Sequence, residues 1–202
     1  MVSPVVPLLA LALALAPAPQ PPLVDAVVAV VDGRPLLASD LELARLAGLG
    51  RTLPGTDLLE ARIRLEAAYL DLEGDRLEAD TAAAYRRLLA AVGGEARLAA
   101  AGFGPADLEA LARRVAAVEA YIARRLRPRV RVADEEVASA YRSEIVAPVA
   151  AAGGEPPPLE EVAARLRRLL EERRLNRLLE EWLGEVLARH RVEVLRRPPP
   201  AP

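Results

Sequence analysis

The chain has 202 residues, 27 basic (every one Arg) and 29 acidic, with one His, no Cys and a formal net charge of −2. Lacking Cys and Lys, it has no disulfide framework, thiolate nucleophile, P-loop lysine or Schiff base, and a single His cannot build a multi-histidine metal site. A balance near zero argues against a dedicated nucleic-acid binder, and 3% aromatic content leaves the core to Leu, Val and Ala.

Val5 to Ala16 is an unbroken apolar run of 12 residues. As a helix it spans about 18 Å, short of the ~30 Å hydrocarbon core, and fits the apolar region of a secretory signal. Ala14, Ala16 and Ala18 supply the small residues of a cleavage site. The pattern departs from a signal in two ways: no Arg or Lys precedes the run, and Pro17 and Pro19 follow the obvious cuts. Residues 1–20 are therefore expected to be a signal peptide or an apolar leader, and the protein periplasmic or otherwise exported. No membrane span is expected once the leader is removed.

Val24 to Val31 is short and β-branched, Asp32-Gly33 follows, then Arg34-Pro35-Leu36-Leu37. Asp-Gly between apolar runs predicts a hairpin, because a type I′ turn needs positive φ at both central positions. Pro35 confines the second arm to an edge. Ser39 with Glu42 reads as a capping box opening a short helix, Asp40 to about Leu46.

Helices are predicted from Asp57 to about Glu73, from Asp80 to Val92 with Gly93-Gly94 as its cap, and briefly from Glu95 to Ala101. Pro105 and Asp107 open the clearest helix. Its apolar positions Leu108, Leu111, Val115, Val118, Ile122 and Leu126 recur every three or four residues, a seam for one side of a core. Pro128 ends it, Arg129 to Val132 reads as extended, and Asp134 caps a helix through Ile145. A Pro/Ala/Gly linker covers 148–158, a helix of about 30 residues runs from Pro158 to His190, and Val192 to Leu195 alternates as a strand.

The expected fold is mainly α, with a small antiparallel β element formed by an N-terminal hairpin and a C-terminal strand. Residues 23–147 form its helical region, 159–195 complete the same domain, and 196–202 are expected to be a disordered tail.

Candidate chemistry is sparse. Arg124, Arg125, Arg127, Arg129 and Arg131 offer a patch for nucleic acid or acidic lipid, but the expected reading is a solvated helix end, where cations meet the negative end of the helix dipole. Adjacent carboxylates, Glu135 with Glu136 and Glu180 with Glu181, do not converge on a helix, so acid–base catalysis is not indicated. His190 suits a helix C-terminus better than a pH sensor, and Ser39 suits a cap better than a nucleophile. No catalytic residue, metal ligand or cofactor is expected. Trp182 and Phe103 read as core, while Tyr69, Tyr85, Tyr121 and Tyr141 are candidates to line a client-binding groove, Tyr121 being the one most expected to be exposed.

The order of elements resembles the N-terminal chaperone domain of the SurA/PpiC-type periplasmic foldases, over Val24 to about Leu195. Four stretches carry the resemblance. They are Ala26 to Leu41, Gly102-Phe103-Gly104-Pro105-Ala106-Asp107-Leu108, Arg127 to Val137, and Leu178 to Leu183 followed by Val192-Glu193-Val194. In that family a parvulin prolyl-isomerase module is commonly inserted between the third and fourth stretches. Here that place holds only the 148–158 linker, far short of the roughly hundred residues of a domain. The resemblance implies a chaperone without catalysis that binds unfolded or partly folded polypeptides, outer-membrane proteins in transit among them. The alternatives are a remnant of a prolyl-isomerase foldase and an adaptor for one specific envelope protein.

Overall fold

A computed structural model describes residues 25–49, 57–75 and 78–195. The expectations for a leader at 1–20 and a tail at 196–202 fall outside the described residues. The fold is mainly α with one small antiparallel sheet.

Strands β1 (Val27–Val31) and β2 (Arg34–Leu37) form the predicted hairpin. Asp32 and Gly33 have φ of +47° and +80°, so both central turn residues occupy the left-handed region that Gly, and locally bonded Asp, tolerate. The Asp32 carboxylate is bonded on both oxygens, to the Arg191 N–H at 2.7 Å and to His190 Nδ1 at 2.6 Å. Strand β3 (Val192–Val194) pairs antiparallel with β1, placing Val192 opposite Val31 and Val194 opposite Ala29. The order is β2-β1-β3, with Pro35 on an edge strand as expected. The first and last strands thus meet in one sheet, and a bulge between Val27 and Ala29 turns both Val28 and Ala29 inward.

Helix α1 (Ala38–Leu46) begins two residues earlier than predicted, and its cap differs. The Asp40 carboxylate accepts the Leu37 N–H at 2.9 Å, while the Ser39 hydroxyl bonds Asp25. Helices α2 (Leu58–Asp71) and α3 (Thr81–Val92) follow the sequence reading, their first turns capped by Asp57 and Asp80 at 2.7 and 2.8 Å. Helix α4 (Glu95–Ala100) is brief, and α5 (Pro105–Tyr121) starts at its proline.

Two π-helical turns were not foreseen, at Ile122–Leu126 and Arg142–Val146. Each is followed, after one residue, by a proline: Pro128 and Pro148. A proline ring clashes with the carbonyl four residues back, and a widened turn relieves that clash. At Pro128 the helix gives way to a 3₁₀ turn, Arg127–Arg129, and Val130 to Val132 joins no strand. At Pro148 the helix survives: α6 (Asp134–Tyr141) continues through its π turn into α7 (Ala147–Ala151), so the first residues of the expected linker are helical.

Helix α8 (Leu159–Arg189) has 31 residues and two environments. Its first half packs on α6 through Leu166, Val137 and Ala140, with ion pairs Arg167–Asp134, Arg173–Glu144 and Arg174–Glu136 alongside. Its second half enters the core.

That core has two parts. One lies under the sheet and joins Val28, Val31 and Leu36 to Leu41 of α1, Leu59 and Ile63 of α2, and Trp182, Leu183 and Val186 of α8. The other joins Leu43 of α1 and Ala47 just after it to Leu88 and Val92 of α3, Leu98 of α4, and Leu108 and Leu111 of α5. Helix α1 feeds both, so their relative placement depends on the helices that run between them.

Candidate functional site

Where the two core parts meet, α2, α3, α5 and α8 do not close. They leave a surface cleft of about 300 Å³. The volume sits at the lower end of ligand-sized pockets. Its walls include Leu65 of α2, Leu88 of α3, Val115 and Val118 of α5, Ile122 of the first π turn and Leu179 of α8, and the segment 47–49 after α1 lines it as well. Of the residues named, all except Leu88 are half-buried. The α5 seam explains this. Its ends, Leu108, Leu111 and Leu126, are fully packed, whereas its middle, Val115 to Ile122, has no helix closing over it among the described residues.

The polar groups of the cleft are Arg64, Arg87 and Glu119. Arg87 places one guanidinium nitrogen 2.8 and 2.6 Å from the two Glu119 oxygens, an ion pair joining α3 to α5. Arg64 donates to Glu60 at 2.6 Å and to Glu180 at 2.8 Å, joining α2 to α8. Burial works against the Arg64 charge, and the two carboxylates outweigh it and push its pKa up. The cleft is therefore apolar inside and bordered by two arginines, each paired with carboxylate.

Behind it, a second charged group is fully enclosed. Arg62 and Glu66, one turn apart on α2, are 3% and 1% exposed. Glu66 accepts from Arg62 at 3.0 Å and from Arg114 of α5 at 2.6 Å, and Arg114 also lies over the Tyr69 ring at 5.3 Å. Burial alone would raise the Glu66 pKa, but the Arg114 hydrogen bond and the charges of Arg62 and Arg114 hold it below the usual carboxylate value. Burial lowers the Arg62 pKa against the pull of Glu66 and Asp40. This group ties α2 to α5, the two helices that carry one side of the cleft.

The sequence-predicted residues are dispersed. The four tyrosines stand on four different helices, all half-buried, and none lines the cleft. Tyr69 lies beneath Arg114, and Tyr85 packs against the helical core. Tyr121 stacks on Trp182 with ring centroids 4.4 Å apart, and the Tyr141 hydroxyl donates to the Pro157 carbonyl at 2.7 Å. Trp182 is buried and Phe103 half-buried against the helical core.

The five arginines from 124 to 131 are exposed. Glu136 caps its own helix at the Ala133 N–H and pairs with Arg174, which holds its pKa down. His190 links three elements: its Nδ1 meets Asp32 of the hairpin turn, and its Nε2 lies 3.5 Å from Asp71 of α2. The His190 hydrogen bond, with the Arg191 N–H, depresses the Asp32 pKa.

Among the described residues no group of three or more His, Asp or Glu is placed to hold a metal ion, and no helix is long and apolar enough to cross a membrane. No protein-family model and no curated protein matches the sequence.

The missed signal was partly present. Val115, Val118 and Ile122 belong to the seam read from the sequence, and Leu65 to the apolar face of its helix. What the periodicity does not say is that, among the described residues, these side chains are only partly covered.

Proposed function

We propose that this protein is an exported, SurA-N-like chaperone that holds unfolded or partly folded polypeptides, outer-membrane proteins among them, without catalysing a reaction. The observation that carries the reading is the open aliphatic cleft between α2, α3, α5 and α8. A shallow apolar site gains affinity from burying client side chains and pays for ordering the client, which leaves binding weak enough per site for release. The mainly helical fold with a sheet formed by its first and last strands, and the four sequence stretches that resemble the foldases, support the same reading. No nucleotide, metal or nucleic acid takes part in it.

The test is light scattering from a chemically unfolded β-barrel protein diluted into buffer with and without the purified chain. Suppression of aggregation near one-to-one, absent with an unrelated helical protein, is the expected result. No suppression, together with recovery of a single folded partner at fixed stoichiometry, would replace the chaperone with the adaptor. Acceleration of prolyl isomerisation in a test peptide would contradict the non-catalytic assignment.

A further inference from the structure

We infer that His190 is a pH-dependent clasp: with two ring protons it fastens the start of β3 to the hairpin turn and to α2, and on losing one it lets the strand loosen. The inference is independent of the cleft and of what the chain binds.

The imidazole sits where three elements meet. It follows directly on α8 and is separated from β3 by Arg191, and its side chain is 11% exposed. Nδ1 lies 2.6 Å from Asp32 Oδ2 in the turn, and Nε2 faces Asp71 Oδ1 of α2 at 3.5 Å. Nε2 is buried and makes no hydrogen bond among the described residues. A neutral imidazole has one N–H. On Nδ1 it serves Asp32 and leaves the Nε2 lone pair against the Asp71 carboxylate. On Nε2 it leaves the Nδ1 lone pair against Asp32. Only the imidazolium offers an N–H to both.

The charges of the surrounding elements point the same way. Arg189 of α8 holds Asp71 through two hydrogen bonds at 3.0 and 2.9 Å, with Glu185 and the Tyr121 phenol also acting on it. Arg191 pairs with Glu193 of β3 at 2.5 Å, and Arg34 of β2 pairs with Glu73 at 2.7 Å. These arginines are engaged elsewhere, so His190 is the cation that Asp32 meets. Its hydrogen bond is the largest cause holding the Asp32 pKa below the ordinary carboxylate value, ahead of the Arg191 N–H.

The element under the clasp is weakly held. Strand β3 has three residues, and Val194 and Leu195 are 53% and 59% exposed. Its ties to β1 include Asp32 N–H to the Arg191 carbonyl and Leu195 N–H to the Val28 carbonyl, both at 2.9 Å. A short edge strand with little packing opens locally at small cost, so one ion pair at its root changes how often it opens. Between about pH 5.5 and 7.5 ordinary carboxylates and guanidinium groups keep their charge while an ordinary imidazole loses its second proton. With one His, no Cys and no Lys, the chain carries no other side-chain type that ordinarily titrates there. The second proton gains a carboxylate contact only in the closed strand, so closure is favoured at the lower pH and lost as pH rises through this range.

The experiment is amide hydrogen exchange of the full chain by NMR at about pH 5.5 and 7.5, corrected for the intrinsic pH dependence of exchange. It compares the Asp32 and Leu195 amides with those of α3. Protection of the two amides relative to α3 is expected to fall about two- to fivefold from the lower to the higher pH, the effect of one partly exposed ion pair. His190→Gln has no titrating ring. Asp32→Asn keeps an acceptor for the Arg191 N–H and a residue that tolerates the left-handed turn. In both variants the fall is expected to vanish, with protection at the lower level at both pH values. A parent ratio that is flat, or that rises with pH, would overturn the inference. The same fall persisting in either folded variant would also overturn it, because His190 would then only pack against its neighbours. Should one variant fail to fold, the parent profile and the other variant decide.

Discussion

Replacing Glu66 by Gln is the sharpest test of how the helices beside the cleft are held. The substitution keeps the size of the side chain and an acceptor oxygen but removes the charge between Arg62 and Arg114. The two arginines then differ in their escape. The Arg114 side chain is 23% exposed and can turn to water, whereas that of Arg62 is 3% exposed and cannot. One buried charge is left without its partner, and breaking a buried pair in this way costs about 3–5 kcal/mol. The nearby Asp40 charge, which also favours the Arg62 cation, places the expected loss at the lower end, about 3 kcal/mol. For a chain of this length that corresponds to a melting point lower by roughly 6–12 °C. Urea unfolding followed by Trp182, the only Trp, reads the change directly. Glu109→Gln is the control, because its pair with Arg113 is more than half exposed on both sides and is worth about 0–1 kcal/mol. Arg62→Met combined with Glu66→Leu leaves no buried charge behind and is expected to recover most of the loss. If Glu66→Gln costs no more than Glu109→Gln, the argument that this enclosed group couples α2 to α5 is wrong.

Glu66 has a lowered pKa in the folded chain, so the unfolded chain binds more protons in the window just below the ordinary carboxylate value. Its contribution is complete above that value and is lost as pH falls through the folded one. The urea midpoint should therefore drop more steeply as pH falls below the ordinary carboxylate value in the parent than in Glu66→Gln. Asp80→Ala removes the acceptor of the Ala83 N–H and should cost about 1 kcal/mol by chemical denaturation, with Asp57→Ala similar through Glu60. Trp182→Ala removes a buried ring stacked on Tyr121 and should cost about 3–5 kcal/mol, followed by circular dichroism because the fluorophore is gone. A loss under about 1 kcal/mol would mean the site collapses around the missing ring.

Local signals carried much of the fold. Asp32-Gly33 marks a turn because few residues accept the left-handed backbone found there. Asp57, Asp80 and Pro105 mark helix starts because unpaired N–H groups need an acceptor, or a residue with no N–H, at those positions. Ser39 misled because Asp40, one residue on, captured the orphan amide while the Ser hydroxyl found Asp25. Pro148 misled in the other direction. It reads as a linker residue, yet a π turn carries the helix past it. The cleft was half legible: periodicity identifies Val115, Val118 and Ile122 as core-facing but cannot register how far a partner helix extends. Arg62 and Glu66 were illegible, since an i, i+4 pair of opposite charges in an Arg-rich helix normally sits on a solvated face. Only the crossing of α2 with α5 encloses them. The tyrosines drew attention as rare amphipathic side chains, but each has a local partner or packing role away from the cleft.

The central claim is that unfolded polypeptide is held in the cleft between α2, α3, α5 and α8. Methyl NMR of the chain labelled at Leu, Val and Ile, titrated with an unfolded β-barrel fragment, tests it most directly. The account predicts that the shifts concentrate at Leu65, Val115, Val118, Ile122 and Leu179, with the methyls of Val28, Val31 and Leu36 under the sheet unmoved. Shifts centred instead on the exposed Val194 and Leu195 at the end of β3, with the cleft methyls silent, would contradict it.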